Sequence, residues 1–322
     1  MRKEIEYELS KDTEIYFDIT GGESLILVAF GMLAKEFETP MHLYDIENDR
    51  LIELDEGAKR CISDRVKKQK TKLTLDWFIE MRGAIINYDL RKDIKDSMDP
   101  KFEQDADKIW DVAKQFLDLW NPFSDFLKKN MTPDGNLSVR RNSKTIIKAL
   151  SSSKNKLKTV KDLNQIIDAL GNAGVLLDIV HANGKYSFRF KNERIKNCLW
   201  EGGSILELHT YHYEMSNSDD CQVGVHLDWD GIVNSKSGDD VTNEIDVLSL
   251  RGYVPTFISC KSGNLDQHQI LHALYELDTV TRRFGGRYAK KVLVTVEDIG
   301  DVYLKRALEM GIEVRNAGVF VK

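Results

Sequence analysis

The 322-residue sequence predicts an α/β multidomain protein, and three observations carry that reading. Residues 14–19 (EIYFDI) read as a strand and run through Thr20-Gly21-Gly22 into a helical pattern. Residues 144–196 give two helices followed by strands on either side of Asn183-Gly184. Residues 204–296 alternate in the order α-β-β-β-α-β, with a last helix after them at 301–310. A chain of this length holds two or three domains at about 100–200 residues each. The expected division is a partial Rossmann-like domain at 1–70, a helical and winged-helix-like middle at 71–196, and a C-terminal domain of order α-β-β-β-α-β at 197–322.

In the first part, residues 24–37 place Leu25, Val28, Ala29, Met32 and Leu33 at a helical period. Strand, Thr-Gly-Gly turn and helix together set backbone N–H groups at a helix N-terminus, a natural place for phosphate. Further strands are expected at 41–44 and 50–54. A doubly wound sheet needs more strands than these, and only about ten residues come before the first. The earlier half of such a domain is therefore expected to lie outside this chain.

Residues 72–130 read as helical, with Phe116, Leu117, Trp120, Phe123, Phe126 and Leu127 at helix spacing and Pro122 forcing a break or a fresh start. Helices follow at 144–151 and 160–171, the second with Leu163, Ile166, Ile167 and Leu170 on one face. Strands 176–180 and 186–190 flank Asn183-Gly184, a type I′ hairpin signal. The C-terminal part predicts helix 204–213, strands 221–229, 243–250 and 254–261, helix 266–284, strand 291–296 and helix 301–310.

With 46 Lys plus Arg and 52 Asp plus Glu, the net charge is −6, which argues at first against a nucleic-acid partner. The distribution is uneven. The balance is −7 over residues 1–130, +8 over 131–200 and −7 over 201–322. The basic middle reads either as duplex contact or as a connector with a solvated face. Hydrophobic content of 42% and charged content of 30% describe a globular chain rather than a disordered one. No apolar run approaches the roughly 20 residues of a membrane helix. Cys61, Cys198, Cys221 and Cys260 show no paired spacing, which fits reduced thiols and a cytoplasmic location.

The strongest chemistry lies in Asn243-Glu244-Ile245-Asp246-Val247-Leu248 and Phe257-Ile258-Ser259-Cys260-Lys261. Alternate strand residues share a face. Glu244 with Asp246, and Ser259 with Lys261, should form a polar face, and Ile245, Val247, Ile258 and Cys260 the core face. Adjacent strands would then bring Asp246 to Lys261. The plainer alternative is a surface ion pair of small energetic value. His268 and His272 stand at i, i+4, a spacing that can bind zinc, but no third ligand accompanies them. His209 and His212 are possible substrate contacts.

The paired strands resemble the PD-(D/E)xK nuclease superfamily, in which two carboxylates hold a divalent metal and a lysine assists the attacking water. Ser259 departs from that pattern, since an acid usually stands two residues before the lysine. Some members move the glutamate to the following helix, where Glu276 lies, and Glu207 matches the acid of the first helix. The resemblance thus implies Asp246, Lys261, Glu276 and Glu207 as catalytic residues. Asp246, Glu276 and Glu207 would hold manganese or magnesium, with Glu244 in reserve.

Residues Asp18 to Ser24 (DITGGES) look like the late strand–TGG–helix motif of CRISPR-associated Rossmann fold (CARF) domains. Taken with the nuclease-like strands, the whole chain is similar to CARF–nuclease proteins of type III CRISPR systems, which also carry a winged-helix-like region between the two domains. The resemblance implies a homodimer activated by cyclic tetra-adenylate, with Thr20, Gly21, Gly22 and Ser24 lining the sensor pocket. It implies single-stranded DNA or RNA as substrate and no membrane partner. The competing reading is a non-catalytic, nucleotide-sensing, DNA-binding regulator built on a degenerate nuclease fold.

Overall fold

The computed structural model describes residues 2–317 except 12, 46–47, 49, 56–57, 63–72, 91–98, 154–155, 183, 230–241 and 264. It divides into two compact units, 1–71 and 72–322.

The first unit opens on helix α1 (Arg2–Leu9), which the sequence reading did not anticipate. Strand β1 (Phe17–Asp18) is shorter than the 14–19 expected. Helix α2 (Ser24–Glu36) returns the chain to β2 (Met41–Asp45), which pairs with β1 in parallel, Phe17 opposite Met41. β3 (Arg50–Asp55) is antiparallel to β2, and β4 (Ala58–Cys61) extends the sheet to the order β1-β2-β3-β4. Ile5, Phe17 and Ala34 form its small core. Helix α2 is apolar nearly all round, and Leu25, Val28 and Met32 are exposed.

In the second unit the segment expected to be wholly helical is mixed. Helix α3 (Leu75–Glu80), capped by Thr74, is followed by β5 (Ile85–Ile86) and a 3-10 turn (Tyr88–Leu90). A two-residue strand has no period to read. It forms because Ile85 and Ile86 meet an open sheet edge, opposite Asp228 and Leu227. Helices α4 (Pro100–Ala113) and α5 (Leu117–Asn130) follow. Asp99 caps α4, with Pro100 in the first turn where its missing N–H costs nothing. Pro122 stands within the first two turns of α5 rather than splitting it.

Strand β6 (Ser138–Asn142), also unanticipated, leads into α6 (Ser143–Ser152) and α7 (Val160–Asn172). The hairpin β7 (Leu176–Ala182) and β8 (Lys185–Phe190) completes a three-stranded sheet, order β6-β8-β7. Gly184 in this turn has φ +72°, while Asn183 lies outside the described residues. From α5 onward the order is helix–strand–helix–helix–strand–strand.

Helix α8 (Glu193–Trp200) connects to α9 (Ser204–Met215). The last sheet contains β9 (Asp220–Asp228), β10 (Thr242–Arg251), β11 (Val254–Lys261), β12 (Lys290–Thr295) and β13 (Ile312–Asn316). Its order is β13-β12-β11-β10-β9-β5. β9, β10 and β11 run antiparallel, and β11, β12 and β13 parallel. Helix α10 (Gln267–Phe284) starts in a capping box between Asp266 and Gln269, and α11 (Asp301–Glu309) precedes β13.

Two cores cover the two sheet faces. Val223, Val247, Ile258, Cys260, Val292 and Val294 pack with Ile205, Leu206 and Leu208 of α9. Val225, Leu227, Ile245, Leu248, Phe257 and Leu293 pack with Ile270, Leu274 and Leu277 of α10.

Candidate active site

The pleat of the sheet breaks where the site forms. Ile245 and Val247 should share a face, but they pack into opposite cores, and so do Val223 and Val225 opposite them. Both strands reverse their alternation at Gly224 and Asp246. Gly224 has φ +62°, the left-handed region that glycine enters without steric cost. This corrects the expectation of one core face holding Ile245, Val247, Ile258 and Cys260. Only the last three share it.

The β10–β11 ladder runs from Arg251–Val254 to Val247–Ile258 and stops before Asp246. There the Asp246 carboxylate takes over the ladder's work. Its Oδ2 accepts from the Cys260 backbone N–H at 2.6 Å and from Ser259 Oγ at 3.2 Å. Lys261 Nζ stands 3.9 Å from the same oxygen. The Asp246 side chain is 15% exposed and that of Lys261 is 32% exposed, so the pair is partly shielded but open to a substrate. Strand pairing therefore brings together Asp246, Ser259 and Lys261.

Glu207 approaches the same strand end from α9. Its Oε1 and the Ser262 Oγ both lie 3.7 Å from the point where a Cβ on Gly203 would stand. Ser262 in turn exchanges hydrogen bonds with the Asn121 side chain of α5, at 3.1 and 3.3 Å. Glu276 is turned elsewhere: its Oε2 lies 3.6 Å from His272 Nδ1 on the same helix. Glu244, in register with His226, has Oε1 4.0 Å from its Nε2.

Burial of Cys260 pushes its thiol well above the ordinary value, and the negative charge of Asp246 adds to this. The thiol donates to Thr210 Oγ1 at 3.5 Å and serves the core rather than the chemistry.

Among the described residues, no group of three or more His, Cys, Asp or Glu side chains gathers as a metal cage. The donor set still suits a hard cation. Magnesium-like ions keep several waters and bind through one or two carboxylates plus substrate phosphate. Asp246 offers such a carboxylate, and Glu207 is the next acid at that strand end. The other histidines have structural settings. His209 stacks on Trp110 at 4.6 Å, and His212 Nδ1 lies 3.3 Å from Asp107. His268 and His272 have ring centroids 6.4 Å apart.

In the first unit, Thr20 is tied into the fold. Its N–H donates to Asp18 Oδ1, and its Oγ1 accepts from the Tyr44 N–H, both at 2.8 Å. Gly22 has φ +134°, and a Cβ on Gly21 would meet nothing within 4 Å. Helix α2 follows Glu23 with no side-chain cap, so the exposed N-terminus at Ser24 keeps its first N–H groups for other acceptors.

Neither the fold break at Gly224 nor the place of Asn121 was foreseen. Gly224 sits inside an apolar strand pattern, and isolated strand glycines do signal such irregularities. Asn121 carries no sequence signal of its own.

Comparison with known proteins agrees with this geometry. Residues 193–317 match the family model described as Card1-like, endonuclease domain. No curated protein matches the chain. Among solved structures, protein VC1899 from Vibrio cholerae is similar over 98% of this chain and 75% of its own, with TM-score 0.70 and 16% identity. Can2 from Sulfobacillus thermosulfidooxidans, solved in complex with cyclic tetra-adenylate, is similar over 98% of this chain and 76% of its own, with TM-score 0.59 and 15% identity. No helix among the described residues is long and apolar enough to cross a membrane. The C-terminal part of the chain, residues 193–317, is thus similar to the Card1-like endonuclease domain family.

Proposed function

We propose that the chain is a metal-dependent nuclease of type III CRISPR defence that cleaves single-stranded DNA or RNA when cyclic tetra-adenylate binds its N-terminal unit. The observation that carries this is the Asp246–Ser259–Lys261 cluster at a break in the sheet, within the segment that matches the endonuclease family. The Cys260 amide and Ser259 hydroxyl fix the Asp246 carboxylate, so it is oriented before any substrate arrives. Asp246 and Glu207 would hold manganese or magnesium, which would supply phosphoryl polarisation and an acidified water. Lys261 orients the attacking water and stabilises the charge that develops on the phosphate. Glu276 is the further acid of the proposed set, and it must leave His272 to take part.

The activator reading rests on α2. Its uncapped N-terminus after Thr20-Gly21-Gly22 is suited to phosphate, and the Can2 structure to which the chain is similar holds cyclic tetra-adenylate. The active form is a homodimer. Residues 71–196 form a helical linker and winged-helix-like region that joins sensor and nuclease in the sequence. The test is cleavage of labelled single-stranded DNA and RNA with manganese, with and without cyclic tetra-adenylate, and with a chelator. Cleavage that needs both metal and activator supports the reading. Cleavage in the presence of chelator, or an equal rate without activator, contradicts the corresponding half.

A further inference from the structure

Beside the proposed catalytic lysine lies a groove of about 390 Å³ that the chemistry above does not use. Asn121, Ser124 and Asp125 of α5 form one wall, Trp200 another, and Gly202 with Gly203 the floor. The floor packs closely against α5. A Cβ on Gly202 would stand 2.6 Å from Asn121 Oδ1 and 3.1 Å from Ser124 Oγ. Ser124 is 2% exposed, and among the described residues its Oγ has no hydrogen-bond partner, nor has Trp200 Nε1. Buried polar groups are nearly always paired, so two unpaired ones among the residues of one groove make its lining polar as well as aromatic. The groove is coupled to the strand end through the Asn121–Ser262 hydrogen bonds, one residue from Lys261.

We propose that this groove takes one nucleobase of the substrate strand, next to the phosphate that is cut. This rests on the nuclease reading and deepens it. The lining is wrong for phosphate: it contains a carboxylate, Asp125, and no cation. It is right for a base, which is flat and apolar on its faces and carries donors and acceptors on its edges. Single-stranded nucleic acid is read in this way, by base edges and aromatic walls. The Asp125 carboxylate, bridged to Lys129 at 2.5 Å, accepts from an exocyclic amino group, and the Asn121 amide can both donate and accept. The groove therefore prefers cytosine, adenine or guanine to thymine or uracil.

The test uses the full chain and labelled single strands of about a dozen nucleotides. Each position in turn carries cytosine, adenine, guanine, thymine or an abasic residue. Binding is read by anisotropy without metal, and cleavage by mapping the cut with manganese and cyclic tetra-adenylate. Wild type should favour an amino-bearing base over thymine by about tenfold at one position adjacent to the cut. Asp125→Asn and Asn121→Asp should flatten or invert that preference at the same position and leave other positions unchanged. A misplaced lysine alone would lower the rate for all sequences equally. Equal affinity for all five residues in wild type, or an unchanged preference in folded Asp125→Asn, overturns the base site even if cleavage proceeds. A positional preference in binding with no cleavage under any condition keeps the base site and removes the nuclease reading.

Discussion

The middle segment and the C-terminal domain invert what their net charges suggest. Residues 131–200 are strongly basic, yet much of that charge is already matched. Arg141 pairs with Asp134, Arg189 with Asp178, and Lys196 with Glu193. Lys156, Lys191 and Arg194 reach back to Asp118, Asp105 and Asp99 of the preceding acidic segment. Helix α7, which a winged helix would offer to a duplex, shows Lys161, Gln165 and Asp168 to solvent, a mixed face. The acidic C-terminal domain holds the arrangement suited to phosphate chemistry, because Asp246 and Lys261 are fixed beside one another at a strand end. Geometry, not the sum of charges, is the guide to a phosphate site, and the pairing of its cations favours the connector reading of the middle over duplex contact.

Substitutions can break this contrast. The largest effect is expected for Asp246→Asn. It keeps the shape but removes the charge that faces Lys261, and should lower the cleavage rate by about a hundredfold or more, measured in single-turnover assays. A smaller effect separates the two remaining acids. Glu207→Gln should cost about tenfold in rate. Glu276→Gln should cost less than about threefold if its carboxylate stays with His272. The opposite ranking would show that α10 supplies the second acid.

In the middle segment the effects should fall on stability instead. Lys191 Nζ donates to both oxygens of Asp105, a residue 3% exposed, at 2.8 and 2.7 Å. Lys191→Met leaves that carboxylate only the more distant Lys108, at 3.9 Å, and should cost about 1–3 kcal/mol by urea unfolding, with cleavage per folded molecule unchanged. A loss of nucleic-acid affinity with no loss of stability would restore the middle segment as a binding surface.

The smallest effect concerns Cys198, whose thiol is pushed up to about 12 by burial, with Glu201 adding to the shift. The folded state holds the protonated thiol. Its contribution to stability is therefore complete below the ordinary value of 9.0 and declines as pH rises towards 12. At pH 8 a thiol reagent should label Cys198 only on unfolding. Rapid native labelling would contradict this burial.

Much of this was legible in the sequence because it rests on local pattern. The turn Thr20-Gly21-Gly22 before α2, the Leu163–Leu170 face of α7 and the approach of Asp246 to Lys261 all follow from period and spacing. What escaped depends on tertiary contact. β5 exists because the edge of β9 is free to pair, and β6 because β8 offers it a partner. The reversal at Gly224 and Asp246 was hidden because alternation was extended through residues that the fold uses to interrupt it. The same interruption lets the Asp246 side chain replace a backbone partner at Cys260.

The most direct measurement compares wild type with Lys261→Ala on labelled single-stranded DNA and RNA, with manganese and cyclic tetra-adenylate present. Lys261 is partly exposed at a strand end, so its removal should leave the thermal midpoint nearly unchanged. The account predicts fragmentation by wild type and a loss of about a hundredfold or more in the variant. Equal cleavage by the two proteins, or none by either under every metal and activator condition, would contradict it.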